Sequence, residues 1–219
     1  MIRVKVCCIS NAEEARLAVK HGASALGLVS EMPSGPGVIS EDTIAEIASI
    51  TPPGVATFLL TSKQDIDSII AQQKRCGVNT IQLCDHVTKG TYKELKAAMP
   101  GVSLVHVVHV NGMESIDEAL SIINDVDGIL LDSGSKLHDI KKLGGTGKIH
   151  DWEISAEIVK RVNKPVYLAG GLNSTNIKEA VAKVKPFGVD LCNGVRTEGK
   201  LDEEKLSRFF NIINEINFE

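Results

Sequence analysis

No basic stripe, no long apolar run and no paired-cysteine motif occurs in this 219-residue chain. Its 24 lysines and arginines are interspersed with 28 acids, for a net charge of −4, which argues against a nucleic-acid or polyanion partner. No apolar run approaches the roughly 18 residues that span a bilayer, so no membrane partner is expected. The opening MIRVKVCC enters a strand-like run without an apolar leader or cleavage site, so a soluble, cytoplasmic protein is expected. Cysteines at 7, 8, 76, 84 and 192, odd in number and without CxxC spacing, exclude a disulfide framework and read as reduced thiols. Adjacent Cys7 and Cys8 on one strand point to opposite faces and would not chelate one metal ion.

What is present is an alternation. Short apolar, β-branched runs begin at Arg3, Ala25, Val55, Thr80, Ser103, Gly128, Pro165 and Gly188. Amphipathic stretches lie between them, near 12–21, 41–49, 63–76, 89–99, 115–124, 154–162, 175–184 and 202–216. Ser40, Ser62 (with Asp65 three on) and Asn173 read as helix starts, and Gly22, Gly77 and Gly101 as C-terminal caps. Eight β-α units without a composition break predict one α/β domain over residues 1–219, a (β/α)8 TIM barrel. A doubly wound open sheet is the rival, and the GxGxxG that would favour it after the first strand is missing.

In a barrel the chemistry belongs at the carboxyl ends of the strands. Strand alternation puts Cys7 into the mouth and Cys8 outward, and it turns Asp132 inward with Leu130. A thiolate and a carboxylic acid so placed can take a proton from one carbon and deliver one to an oxygen. Against this, a strand-end cysteine is commonly just a small hydrophobe. Glycine-rich turns follow the last three strands: Gly144–Gly147 with Thr146 between Gly145 and Gly147, Gly170-Gly171, and Asn193-Gly194. Their exposed N–H groups, near a helix start at 173–176, make a cradle for a phosphate. Lys5 and Asp190, both inward on neighbouring first and eighth strands, should pair inside the barrel. His106 and His109, an odd number apart, cannot both face inward, and with His86 they make a poor metal set. Phe209, Phe210, Ile213 and Ile216 form the packing stripe of the last helix.

Together these segments resemble the phosphoribosylanthranilate isomerase family of tryptophan biosynthesis. The likeness lies in Val4-Lys5-Val6-Cys7, Leu130-Leu131-Asp132-Ser133, Gly144–Lys148 with Asp151-Trp152, Leu168–Asn173 and Gly188-Val189-Asp190. It implies a cytoplasmic aldose–ketose isomerase, monomer or homodimer, that carries out an Amadori rearrangement of a small phosphorylated sugar without metal or organic cofactor. Asp132 would be the general acid and Cys7 the general base. The three glycine turns (Gly145, Thr146, Gly147; Gly170, Gly171; Asn193, Gly194) would hold the phosphate. Lys5, Gln82 and Arg196 would be further substrate contacts.

The departures are specific. The family's Ser-Pro-Arg after the second strand is here Gly35-Pro36-Gly37, without the arginine expected to meet the anthranilate carboxylate. The glycine after the catalytic cysteine is Cys8. The fourth strand ends Gln82-Leu83-Cys84-Asp85 instead of Gln-Leu-His-Gly. The eighth runs Cys192-Asn193-Gly194-Val195-Arg196, and Arg196 could supply the missing cation. A relative that isomerises another phosphosugar, and a non-catalytic binder of a phosphorylated metabolite, stay open beside the isomerase.

Overall fold

The computed structural model describes residues 2–133 and 150–216. Eight parallel strands close into a barrel in sequence order: β1 Arg3–Val6, β2 Ala25–Val29, β3 Ala56–Thr61, β4 Thr80–Leu83, β5 Ser103–His109, β6 Gly128–Asp132, β7 Val166–Leu168 and β8 Gly188–Leu191. The helices between them are α1 Ala12–Lys20, α2 Glu41–Ile50, α3 Ile66–Cys76, α4 Tyr92–Ala98, α5 Glu114–Ile122, α6 Trp152–Arg161, α7 Ile177–Val184 and α8 Glu203–Asn214. The barrel shuts where β1 pairs with β8, with Lys5 opposite Asp190.

Apolar side chains divide by face. Those turned outward, such as Leu26, Leu59, Ile81, Leu131 and Val189, pack with the helices in one continuous core. Those turned inward, among them Phe58, Leu60, Val107, Leu130 and Tyr167, fill the barrel as a second cluster. Phe58 and Tyr167 meet edge to face at 5.7 Å. Strands buried on both faces are what a helix-wrapped parallel sheet requires.

The caps correct two expectations. Ser40 and Asp151 cap α2 and α6 as their positions suggest, each accepting a backbone N–H in the first turn. Asp65, not Ser62, caps α3, because its carboxylate lies in reach of the Asp67 N–H at 3.0 Å. Asn173 folds a local turn instead of starting α7, its side chain accepting from Thr175 at 2.8 Å. The helix begins only at Ile177. Gly77 ends α3 in the left-handed conformation, φ 66°.

Candidate active site

A cavity of about 280 Å³ opens at the carboxyl ends of the strands. Cys7 and Asp132 both line it, from β1 and β6, and Gln82 enters from β4. On the β7–β8 side its wall is the two turns Gly170-Gly171 and Asn193-Gly194. The third predicted turn, with Gly145, Thr146 and Gly147, lies outside the described residues. Opposite the turns, Val29, Met32, Leu60 and Val107 make an apolar wall. The site thus has a polar, glycine-lined half and an apolar half.

Close approach of backbone explains three of the glycines. A Cβ on Gly27 of β2 would stand 2.8 Å from Cys7 Sγ and 3.0 Å from Lys5 Nζ, so the bare glycine makes room for both. A Cβ on Gly170, whose φ is 85°, would press on Ser133 and His150. One on Gly194 would collide with the carbonyl of Leu172, so the bare glycine lets the turns after β7 and β8 approach each other. Gly27 went unnoticed in the sequence, since a lone glycine inside a strand marks a close approach without saying to what.

Cys7 and Asp132, which both line the cavity, have acidities displaced in opposite senses. Burial pushes the Asp132 carboxyl up to about 6, against the Ser133 N–H that it accepts at 2.8 Å. Cys7 is held below the ordinary thiol range: hydrogen bonding from Cys8 outweighs burial, and the Lys5 ammonium adds to it. Cys8 is displaced upward by its hydrogen bonds to Cys192 and Cys7 and by burial, so it remains a protonated donor. The cavity thus brings together a thiol that ionises more readily than usual and a carboxyl that keeps its proton to higher pH than usual, facing one space.

Cys8 does not pack outward. The strand ends at Val6 and Cys8 takes a left-handed φ of 62°, so alternation no longer applies and its thiol joins the cavity wall. Gly37, at φ 77°, lies so close that a Cβ there would be 2.6 Å from that of Cys8. Lys5 forms the predicted ion pair with Asp190 at 2.9 Å. It is fully buried beneath the cavity and lines none of it, so a substrate contact by Lys5 is not what its position offers. Burial alone would make it less basic, but the Asp190 carboxylate and the nearby thiols overcome this and its pKa rises.

Arg196 is corrected likewise. It is 8% exposed and outside the cavity wall. Its guanidinium donates to Glu14 at 3.0 Å and to the carbonyls of Cys7 and Cys8 at 3.1 and 2.6 Å. The backbone just past Asn193-Gly194 carries it away from the mouth, where it clamps the turn that presents Cys7. Among the described residues no lysine or arginine lines the cavity; His109, at the end of β5, does.

Fold and site together define a (β/α)8 barrel with a thiol and a carboxyl facing one cavity at the strand ends. Over residues 4–212 the chain matches the family described as N-(5'phosphoribosyl)anthranilate (PRA) isomerase. It is 32% identical to the N-(5'-phosphoribosyl)anthranilate isomerase of Methanocella arvoryzae, covering 96% of each chain. It is 34% identical to N-(5'-phosphoribosyl)anthranilate isomerase 2 of Methanosarcina mazei, covering 95% of this chain and 92% of that one. Among solved structures, phosphoribosyl anthranilate isomerase of Thermotoga maritima superposes with TM-score 0.82 at 28% identity, over 99% of this chain and 100% of that one. Another phosphoribosyl anthranilate isomerase, 26% identical with TM-score 0.80 over 99% and 100%, was solved with reduced 1-(o-carboxyphenylamino)-1-deoxyribulose 5-phosphate. The chain belongs to the N-(5'-phosphoribosyl)anthranilate isomerase family.

Proposed function

We propose that the chain converts N-(5'-phosphoribosyl)anthranilate, an aminoaldose phosphate, to the 1-amino-1-deoxyketose phosphate, a step of cytoplasmic tryptophan biosynthesis. The observation that carries the reading is the pairing of Cys7 and Asp132 across one cavity with opposite displacements of acidity. Asp132 gives its proton to the furanose ring oxygen, the C1–O bond opens, and the anilino nitrogen's lone pair forms the Schiff base. Cys7 thiolate then takes the proton from C2, and the resulting enolamine tautomerises to the ketone. Each step needs the protonation state that the site stabilises. No cofactor enters the scheme.

The two halves of the cavity divide the rest of the substrate. The N–H groups of the turns at Gly170-Gly171 and Asn193-Gly194, with the Gly145-Thr146-Gly147 loop, hold the phosphate. The wall of Met32, Leu60 and Val107 takes the aromatic ring. Gln82, which also lines the cavity, takes the sugar hydroxyls.

Turnover is tested with freshly generated phosphoribosylanthranilate, followed by loss of substrate fluorescence. Cys7→Ser and Asp132→Asn should each lower kcat by about 10²–10⁴-fold, the usual range for a lost acid or base. Near-normal rates in either variant would sink the assignment. A second reading, isomerisation of another phosphosugar, is favoured by one observation: no arginine or lysine among the described residues faces the cavity to meet an aromatic carboxylate. No turnover of this substrate, with inorganic phosphate still raising Tm, would select it.

A further inference from the structure

A second cavity, of about 200 Å³, lies beside the mouth near α5 and shares Cys84, Val107 and His109 with the first. Three of its side chains converge. His86 comes from the loop after β4, His106 from β5, and Glu118 from α5. One donor atom of each falls within 4.8 Å of those of the other two. We propose that His86, His106 and Glu118 bind a divalent transition-metal ion of the zinc type, fastening the loop after β4 to α5.

Two imidazoles and a carboxylate form a donor set that suits zinc, whereas magnesium and calcium prefer oxygen alone. Zinc holds nitrogen and oxygen at roughly 2.0–2.2 Å, so tetrahedral donors stand about 3.3 Å apart. His86 Nε2 and Glu118 Oε1 are already 3.5 Å apart. The His86 and His106 rings lie 4.8 Å apart between centroids with a 37° tilt, so the His86 ring must turn an edge toward the shared point. His86 and Glu118 can make that adjustment, since their side chains are 54% and 35% exposed. His106, 1% exposed, is the fixed anchor. The fourth position is left to water.

The support of the anchor fits the role. Tyr92 Oη lies 3.4 Å from His106 Nδ1 and accepts the Val87 N–H at 3.5 Å. A phenol oxygen has two lone pairs, so a neutral His106 can give it the Nδ1 proton and present Nε2 to a metal. Such an outer partner is what fixes tautomer and ring angle at metal-binding histidines. Odd spacing along β5 separates His106 from His109, and Glu118 completes the set that three histidines could not.

The test is equilibrium dialysis of the metal-free full chain against zinc. One ion per chain is expected, together with a rise in Tm. His86→Ala and Glu118→Gln, both surface changes that spare the fold, should each weaken binding at least tenfold and abolish the Tm rise. Cobalt in place of zinc should show ligand-field bands without thiolate charge transfer. Three outcomes would overturn the proposal: no binding at micromolar zinc, stoichiometric binding untouched by both variants, or strong thiolate charge transfer, which would put the ion on the cysteines at the mouth.

Discussion

The thiols of Cys8 and Cys192, 184 residues apart in sequence, lie 2.8 Å apart at the edge of the cavity. Cys192 stands immediately before the Asn193-Gly194 turn, and Cys8 immediately after Cys7. Hydrogen peroxide should join them: the two thiols lose two protons and two electrons, and one peroxide becomes two waters. The count of thiols reactive in denaturant should fall from five to three and return with dithiothreitol. Cys192→Ser should block the loss, and a loss unchanged by that substitution would rule the pair out.

Cys8 occupies a backbone conformation that an L side chain adopts at a cost of roughly 1–2 kcal/mol. Glycine adopts it freely. Cys8→Gly should therefore be more stable than Cys8→Ala by about 1 kcal/mol, the reverse of the order seen in regular structure. Urea unfolding of the two variants decides it. If alanine is the more stable, strain at residue 8 is not felt.

Asp132 sets a pH dependence of stability. Its pKa in the fold, about 6, exceeds the ordinary 3.8, so the folded state binds the proton more tightly than the unfolded chain does. The site is least costly below pH 3.8, and stability is lost as pH rises from there through about 6. Asp132→Asn should thus stabilise the protein near pH 7, by at most about 3 kcal/mol, with a gain that vanishes toward acid. Denaturation at several pH values measures it, and a gain independent of pH would refute the buried-acid account.

Lys5 and Asp190 form a buried pair in which each charge depends on the other. Lys5→Met leaves a carboxylate without its counter-ion and should cost about 3–5 kcal/mol. The double change Lys5→Met with Asp190→Leu should cost less than either single change. Additive losses in that cycle would mean that the pair has no mutual dependence.

Gly27→Ala would push a methyl group against the Sγ and Cα of Cys7. Backbone cannot yield as a side-chain tip does, so the expected loss is about 1–3 kcal/mol. kcat should fall more than KM rises, because the thiol moves while the turns at β7 and β8 do not. Wild-type kcat in Gly27→Ala would show that β1 has slack beside β2.

Much of the molecule is written in local chemistry. Alternation of short β-branched runs with amphipathic stretches is enough for eight units and for the barrel, because each strand must bury both faces and each helix one. The period of two along a strand also turns Lys5, Cys7, Asp132 and Asp190 inward, and the ring closure pairs Lys5 with Asp190. What alternation could not reach begins where strands stop. Cys8 turns into the mouth because the chain leaves β1 with a positive φ, and Arg196 swings away to Glu14 because a turn and a short hairpin redirect it. The acidities of Cys7 and Asp132 are likewise tertiary properties, since burial and neighbouring charge exist only once distant strands meet. The residue types carry the candidate chemistry, and the packing around them decides which proton each one holds.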